Sequence, residues 1–177
     1  MERRLAAIFA ADVVGYSRLM GEDEAGTLKR LISLRKGLVQ PAITKCGGRI
    51  VKLMGDGILA EFASVVEAVQ CAVDIQKSMI GREVNLPDEQ RIKLRIGVNL
   101  GDIIVEGADI YGDGVNIASR LESLAEPGGI CLSGDAYRQA KGKIEAEFED
   151  MGEQGLKNIA EPVRVYRIAS TDRSWLR

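Results

Sequence analysis

The 177-residue sequence contains no histidine, the commonest general base in enzymes and the commonest transition-metal ligand. Any catalysis must therefore depend on carboxylates, lysines, arginines or metal-bound oxygen. Cysteine is scarce as well, since Cys46, Cys71 and Cys131 are far apart, odd in number and set in apolar segments. This pattern predicts reduced thiols in a cytoplasmic protein and contains no metal–thiolate motif.

The sequence also lacks a long apolar run and a concentrated basic region. Its first apolar stretch ends at Asp12, too early for a membrane span. The net charge is −2 and the lysines and arginines are scattered, so we expect neither nucleic acid nor a membrane as a partner. With 46% apolar residues the chain can bury one good core, which predicts a single domain.

Two aspartates stand where apolar runs end. Asp12 follows the apolar residues 5–11, and Asp56 lies between two glycines in residues 49–62, a pattern typical of a β-hairpin. Carboxylates fixed at the ends of strands are what a site for a hard divalent cation requires. Either aspartate taken singly could equally be a solvated turn residue.

Apolar periodicity gives the order strand, helix, hairpin, helix, strand, with further elements after it. We expect Pro41 to bend or interrupt the first long helix. Residues 92–98 are predicted as a strand, with 103–105 pairing back onto it after a turn. A glycine-rich connection over 107–114 then leads into a helix over 115–125. This order predicts an α/β (α+β) fold, a ferredoxin-like βαββαβ core of mixed sheet with helices on one face, followed by additional C-terminal strands and a helix.

Several polar residues are poorly explained by core packing. Arg95 lies within an alternating strand, and Asn116 and Arg120 are four residues apart on one helix face. Lys52 and Lys157 lie beside strand ends. Two Mg²⁺ ions between two carboxylates, with arginines and lysines nearby, are the general apparatus of phosphoryl transfer. Simpler interpretations stay open: Lys52 as an exposed strand lysine, Arg95 as the ion-pair partner of an acid such as Glu61, and a solvated helix face for Asn116 and Arg120.

Three motifs in this order resemble the catalytic domains of class III adenylyl and guanylyl cyclases. They are Phe-Ala-Ala-Asp-Val-Val-Gly-Tyr at 9–16, Lys-Leu-Met-Gly-Asp-Gly at 52–57 and Val-Asn-Ile-Ala-Ser-Arg at 115–120. The resemblance covers about residues 5–168. It implies the class III nucleotidyl cyclase fold, with the catalytic domain at 1–168 and a C-terminal tail or linker at 169–177.

The resemblance also implies roles for individual residues. Asp12, Asp56 and the backbone carbonyl of Val13 would bind two Mg²⁺ or Mn²⁺ ions per site. Asn116 would orient the ribose of ATP and Arg120 would stabilise charge at the α-phosphate. The remaining predicted substrate-binding residues are the adenine-reading pair Lys52 and Asp109 and the β- and γ-phosphate ligands Arg95 and Lys157.

Two of these assignments are less tightly fixed by the sequence. Asp109 is placed by its spacing to Asn116, and Asp113 is a competing acid. Lys157 is matched only by Leu-Lys-Asn before the last strand. Guanylyl cyclases usually carry a glutamate and a cysteine at the positions of Lys52 and Asp109, so ATP is the expected substrate.

The resemblance further implies a head-to-tail homodimer with sites at its interface. One subunit would contribute the metal-binding aspartates and Arg95, and the other would contribute the remaining site residues. The expected function is therefore an adenylate cyclase that forms 3′,5′-cyclic AMP and pyrophosphate, with a possible C-terminal regulatory domain in the full-length protein. The alternatives are a guanylate or non-selective cyclase, and a catalytically silent module that binds nucleotide or dimerises.

Overall fold

The apolar residues 5–11 form much of strand β1 at Glu2–Val13, which lies near the middle of a mixed sheet. The computed structural model describes residues 1–170, so part of the predicted tail, 171–177, lies outside the described residues. The other strands are β2 Arg49–Met54, β3 Gly57–Phe62, β4 Leu94–Glu106, β5 Asp109–Tyr111, β6 Ile130–Ser133, β7 Phe148–Gln154 and β8 Val163–Ile168. The α-helices are α1 Tyr16–Glu22, α2 Glu24–Leu34, α3 Gln40–Lys45, α4 Val65–Ile80, α5 Asp113–Leu124 and α6 Gly134–Ala140.

The strand order of the described chain is β2-β3-β1-β4-β6-β8-β7, and β5 pairs with the far end of β4. Among the first four strands of that order, each adjacent pair is antiparallel. This is the order of a ferredoxin-like βαββαβ core, as the sequence predicted. The parallel pairing of β4 with β6 then extends the sheet into the C-terminal strands.

The two faces of the sheet carry different helices. Odd-numbered residues of β1 from Ala7 to Val13 belong to a core cluster with buried residues of α2, α4 and α6. Even-numbered residues from Ala6 to Ala10 belong to a second cluster with Ala118 of α5. The sequence predicted helices on one face only, and this was wrong for α5. Within residues 1–170, α5 is the one helix that packs against the opposite face.

The predicted turn in the fourth strand is absent. β4 runs without interruption from Leu94 to Glu106, and Gly101 and Asp102 pair with Ala6 and Leu5 of β1. Pairing with β1 along this whole length overrides the local turn preference of Gly-Asp. The predicted glycine-rich connection contains the short strand β5, whose Ile110 is buried opposite Val105.

Asp23 caps the first long helix through a hydrogen bond from the Gly26 N–H. The helix continues to Lys45, but residues Arg35–Val39 form a π-helical turn between α2 and α3. Pro41 follows this turn at the start of α3 and has no N–H to donate to the helical ladder. The expected interruption at Pro41 therefore takes the form of a π turn just before it.

Candidate active site

Asp12 and Asp56 lie side by side at one end of the sheet. Asp12 is near the end of β1, and Asp56 is at the tip of the β2–β3 hairpin. The backbone N–H of Val13 donates a hydrogen bond of 3.0 Å to Asp56 Oδ2, so the two acids are held next to each other. The sequence prediction that both aspartates end apolar strands is confirmed, and they face one location.

The hairpin tip depends on its glycines. Gly55 adopts φ +58°, a left-handed conformation that residues with a Cβ rarely adopt. A Cβ on Gly57 would lie 3.3 Å from the Ala11 carbonyl oxygen and 3.9 Å from Asp12 Cβ. The Arg35 guanidinium, from the π turn, also donates to the Gly55 carbonyl. These contacts fix the position of Asp56 relative to β1.

Arg95 is the cation next to this pair of acids. It is directly opposite Asp12 in the β1–β4 ladder, and its Nε and Nη2 atoms lie 3.4 and 3.5 Å from the two Asp12 carboxylate oxygens. Its Nη1 donates to the Ser123 carbonyl of α5 at 3.4 Å. The alternative pairing with Glu61 is not formed, because the buried Glu61 carboxylate binds Arg4 and Arg49 instead. The separations from Asp12 are long for a charge-assisted pair, so this interaction is weak.

A third carboxyl group, which the sequence did not single out, lies at the same place. Glu122 of α5 has an enclosed Oε1 atom that has no hydrogen-bond partner. Burial, and next the neighbouring Asp12 carboxylate, raise the pKa of Glu122 to about 8. A signal for it exists in the sequence, since Glu122 is one helical turn after the apolar Ala118 in the helix predicted over 115–125.

The donors at this end of the sheet fit a hard divalent cation. The adjacent carboxylates of Asp12 and Asp56 carry more negative charge than the weakly held Arg95 offsets. Among residues 1–170, however, no three His, Cys, Asp or Glu side chains are arranged to hold a metal ion by themselves. Mg²⁺ is commonly held in this way, by one or two carboxylates together with water and substrate phosphates.

Lys52 and Asp109 form an ion pair, with Nζ 3.2 Å from Oδ2. The Ile110 N–H donates to the other oxygen of Asp109 at 2.7 Å. This backbone hydrogen bond, with a smaller contribution from Lys52, lowers the pKa of Asp109. Lys52 Nζ also lies 5.8 Å from the centre of the Tyr111 ring. The competing acid Asp113 instead begins α5 and lines a different cavity, so the geometry favours Asp109 as the partner of Lys52.

The remaining predicted residues lie along α5 and the loop before β8. Asn116 is exposed on the second turn of α5, and Arg120 is one turn later on the same face. Arg120 Nε donates a 3.0 Å hydrogen bond to the Lys157 carbonyl. The Lys157 side chain is exposed, while the preceding Leu156 is buried and anchors the loop. The structure therefore brings Arg120 and Lys157 together.

Three site residues on strands, Asp12, Arg95 and Lys52, share the face of the sheet that carries α5. Asp12 follows the even-numbered residues of β1 that pack toward α5, and Arg95 is directly opposite it. Lys52 is opposite Leu59, which belongs to the same cluster. Within residues 1–170, no hydrogen bond or ion pair links Asp12, Asp56 or Arg95 to either the Lys52–Asp109 pair or the Arg120–Lys157 pair. The side chains thus form separate groups on one face.

Comparison with known proteins assigns the chain that carries these side chains to a family. Residues 3–170 match the family described as the adenylate and guanylate cyclase catalytic domain. This chain belongs to that family. The resemblance stated from the three motifs is therefore confirmed.

Named relatives agree with this membership. The cyclase domain is 45% identical over 174 residues to the Rhizobium meliloti (strain 1021) protein named "Putative adenylate cyclase 3", covering 98% of this chain and 30% of that protein. It is 33% identical over 125 residues to an adenylate cyclase of Streptomyces coelicolor, covering 71% of this chain and 31% of that protein. The chain thus spans about a third of the length of these curated relatives.

A solved structure confirms the fold. The adenylate/guanylate cyclase/hydrolase of Silicibacter pomeroyi superposes on the cyclase domain with a TM-score of 0.90 and 47% sequence identity. The match covers 95% of this chain and 98% of that one. No helix in the described part of the domain has the length and apolar character needed to cross a membrane.

A cavity of about 670 Å³ lies elsewhere in the cyclase domain. It is between the middle of β4 and the first turns of α5 and α6, and its lining includes Asn99, Asp113 and Ser133. None of the nine site residues predicted from the sequence lines it. The predicted site lies apart from this cavity, at the end of one hairpin and on the sheet face that carries α5.

Proposed function

We propose that this domain converts ATP to 3′,5′-cyclic AMP and pyrophosphate at sites shared between two copies of the chain. The observation that carries the proposal is the adjacent pair Asp12 and Asp56, held by the Val13 N–H, with Arg95 beside it. Such a pair, accompanied by separate basic groups on the same sheet face, suits the transfer of a nucleotidyl group. The family includes both adenylate and guanylate cyclases.

Asp12, Asp56 and the backbone carbonyl of Val13 would hold two Mg²⁺ or Mn²⁺ ions. The long Arg95–Asp12 separations support a site that accepts further positive charge. When bound, the ions would activate the ribose 3′-hydroxyl and neutralise charge on the phosphates.

Lys52 and Asp109 would recognise adenine. The Lys52 ammonium would donate a hydrogen bond to the ring, and the Asp109 carboxylate would accept one from the exocyclic amine. Their 3.2 Å ion pair supports this assignment, because the two groups are already held at one location in a single subunit. Asn116, exposed on α5, would orient the ribose.

The phosphates would be held by three cationic side chains. Arg120 would offset the charge that develops at the α-phosphate during in-line attack by the 3′-hydroxyl. Arg95 and Lys157 would hold the β- and γ-phosphates of the departing pyrophosphate. The 3.0 Å contact between Arg120 and the Lys157 carbonyl supports a shared role for these two residues.

A head-to-tail homodimer would complete each site. Asp12, Asp56 and Arg95 of one chain would face Lys52, Asp109, Asn116, Arg120 and Lys157 of its partner. The absence of direct links between these groups within residues 1–170 supports such sharing. Exposed apolar side chains also flank the site residues, as expected for a surface that is covered on assembly, namely Leu53, Met54, Tyr111 and Leu124.

The longer curated relatives support a further part of the proposal. Since this chain spans 30% of one and 31% of another, the domain would operate within a longer cytoplasmic protein, with a possible regulatory domain after it.

The test is product formation by the purified chain over a series of protein concentrations. ATP or GTP is supplied with Mg²⁺ or Mn²⁺, and cyclic nucleotides are resolved from other products. We expect cyclic AMP, with a specific activity that rises with protein concentration as dimers form. Asp12→Ala should lower the rate by ~100-fold or more, because a charge-stabilising group is lost. Asp102→Ala, an exposed acid on β4, is the control.

Other outcomes of this assay would support the alternative functions. Cyclic GMP as the main product would favour the guanylate cyclase alternative, and both products at similar rates would favour a non-selective enzyme. No cyclic product from a protein shown to be dimeric and nucleotide-bound would favour the silent regulatory module. Full activity in Asp12→Ala would overturn the cation assignment.

A further inference from the structure

A buried carboxylate outside the proposed chemistry holds two arginines next to the Lys52–Asp109 pair. Glu61 of β3 is buried, and Arg4 Nη2 lies 2.9 Å from each of its carboxylate oxygens. Arg49 donates to Glu61 Oε1 through Nε at 2.9 Å and through Nη2 at 2.6 Å. Because two of its nitrogens bind the same oxygen, the Arg49 guanidinium is held in a fixed orientation.

The third nitrogen of Arg49 reaches the loop that precedes Asp109. Its Nη1 atom donates a 3.1 Å hydrogen bond to the Ala108 carbonyl. Glu106 at the end of β4 pairs with Asp109 at the start of β5, so Gly107 and Ala108 form a two-residue hairpin loop. Both loop residues are exposed. The contact with Arg49 therefore links an exposed loop to the anchored side chain of a neighbouring strand.

An irregularity in β2 places Lys52 on the same face as Arg49. Arg49 pairs with Glu61 and Lys52 pairs with Leu59, so three steps along β2 match two steps along β3. The register shift lies between Ile50 and Lys52 and is a β-bulge. In a regular strand, residues three apart face opposite sides of the sheet. The bulge thus directs Lys52 to the side on which Arg49 holds the loop.

We propose that Arg49 is a positioning residue for base recognition, which holds the loop at Ala108 and thereby places the Asp109 carboxylate beside Lys52. The inference rests on the proposed function, since the reading of adenine by Asp109 is part of it. Arg49 would act through the loop and would not touch the nucleotide. Precise placement matters because an error of ~1 Å in a group that binds the substrate can lower the rate by as much as ~100-fold.

Arg4 allows positioning to be distinguished from simple neutralisation of Glu61. The side chains of Arg4 and Arg49 are 42% and 45% exposed, and both bind the Glu61 carboxylate. Within residues 1–170, the side-chain hydrogen bonds of Arg4 go to Glu61 and none reaches the 107–108 loop. Loss of the Arg4 guanidinium should therefore weaken the same ion cluster without releasing the loop.

The experiment compares ATP with purine riboside triphosphate, which lacks the exocyclic amine that would donate to Asp109. The ATP advantage is the ratio of kcat/KM for the two nucleotides, measured from their cyclic products. We expect this ratio to fall by ~10-fold or more in Arg49→Gln and to stay unchanged in the matched control Arg4→Gln. Urea unfolding establishes that each variant is folded.

Arg49→Lys tests the same point if Arg49→Gln does not fold. Lysine keeps a positive charge for Glu61 but has one nitrogen in place of three, so it cannot reproduce the fixed fork that also reaches Ala108. We expect this variant to fold and to lose the ATP advantage as well.

Asp109→Ala separates this inference from the proposed function. It should remove the ATP advantage, and adding Arg49→Gln to it should change the ratio no further. If Asp109→Ala loses the advantage while folded Arg49→Gln or Arg49→Lys retains it, the role of Arg49 is wrong and adenine recognition stands. If Asp109→Ala keeps the full advantage, or the unchanged chain shows none, the proposed reading of adenine is wrong and the role of Arg49 is wrong with it. Equal losses in Arg4→Gln and Arg49→Gln would contradict an effect through the loop.

Discussion

The Lys52–Asp109 ion pair is too exposed to be important for stability. The side chains are 38% and 32% accessible, and exposed pairs of this kind contribute little to the free energy of unfolding because solvent screens the charges. Lys52 is nevertheless on the sheet face that carries α5, and Asp109 is fixed by the Ile110 N–H. Because the Lys52–Asp109 pair adds little stability, recognition of a ligand explains its ordered geometry better than a structural role does.

Replacing this pair should change the choice of nucleotide. In the double variant Lys52→Glu with Asp109→Cys, the groups proposed to read adenine are replaced by those usual in guanylyl cyclases. We expect the ratio of kcat/KM for ATP over GTP to fall by at least ~10-fold, because hydrogen bonds to the base are lost or reversed. The midpoint of urea unfolding should change little. The measurement is steady-state kinetics with both nucleotides.

A matched control is available at another exposed ion pair. Lys93 Nζ lies 2.8 Å from Asp88 Oδ1, and neither residue is among the predicted site residues. Lys93→Glu with Asp88→Cys makes the same chemical change and should leave the ATP preference intact. An unchanged ATP preference in the Lys52 and Asp109 variant would show that these residues do not read the base.

The site residues could be predicted to different degrees from the sequence. Asp12 and Asp56 were predictable because a strand end and a Gly-Asp-Gly tip are local features. The partner of Arg95 was not predictable from local features, because the register between β1 and β4 decides that Arg95 lies opposite Asp12 and not beside Glu61. Glu122 was missed because glutamate in a helix is usually solvated, and its burial depends on how closely α5 approaches β4.

The contact between α5 and β4 is closer than ordinary side chains permit. A Cβ on Gly97 would lie 2.5 Å from the Ala118 carbonyl as well as 2.4 Å from the Glu122 nitrogen. A Cβ on Gly114, in the first turn of α5, would lie 2.6 Å from the Asp102 carbonyl. Because these neighbours are backbone atoms, a larger residue at either glycine must displace the whole helix.

Gly97→Ala is therefore expected to affect both stability and activity. The added methyl group should lower the free energy of unfolding by ~1–3 kcal/mol, the usual cost of overpacking. The cyclase rate should fall further than the loss of folded protein explains, since α5 carries Asn116 and Arg120. Urea unfolding and initial rates measure the two effects.

Gly21→Ala in α1 is the control, because nothing lies within 4 Å of a Cβ at that position. Alanine at an unhindered helical position should leave stability unchanged or raise it by roughly 0.5–1 kcal/mol. Equal stability and activity of Gly97→Ala and the unchanged chain would mean that α5 can move away from β4 at no cost.

Elements with strong local signals were predicted well, and those set by distant pairing were not. Both ends of α4 have local causes, since the Ser64 side chain caps its first turn and Gly81 follows its last residue. The uninterrupted β4 depends on pairing with β1, about a hundred residues earlier, which local patterns do not record. The position of α5 on the second face of the sheet is likewise a tertiary property.

At the scale of the whole molecule, one face of the sheet is covered by five helices and the other by α5 alone, within residues 1–170. The proposed site residues Asp12, Arg95 and Lys52 lie on the less covered face. This arrangement would leave the proposed half-sites accessible to a second copy of the chain.

Mixing two inactive variants tests whether the sites are shared. Asp56→Ala removes a proposed cation ligand, and Arg120→Ala removes the group that would act on the substrate from the partner. In a heterodimer of the two, one site has both defects and the other has none. If chains exchange freely, an equimolar mixture should recover about a quarter of the activity of the unchanged protein, since half of the dimers carry one intact site.

A second mixture distinguishes shared sites from simple stabilisation by the partner. Asp56→Ala mixed with Asp12→Ala should recover nothing, because both residues are proposed to come from the same half-site and each site of that heterodimer has one defect. Activity in this control mixture would indicate that dimer formation repairs the mutants in some other way. No activity in the Asp56→Ala and Arg120→Ala mixture, with heterodimers demonstrated by differently tagged chains, would mean that each chain carries a complete site of its own.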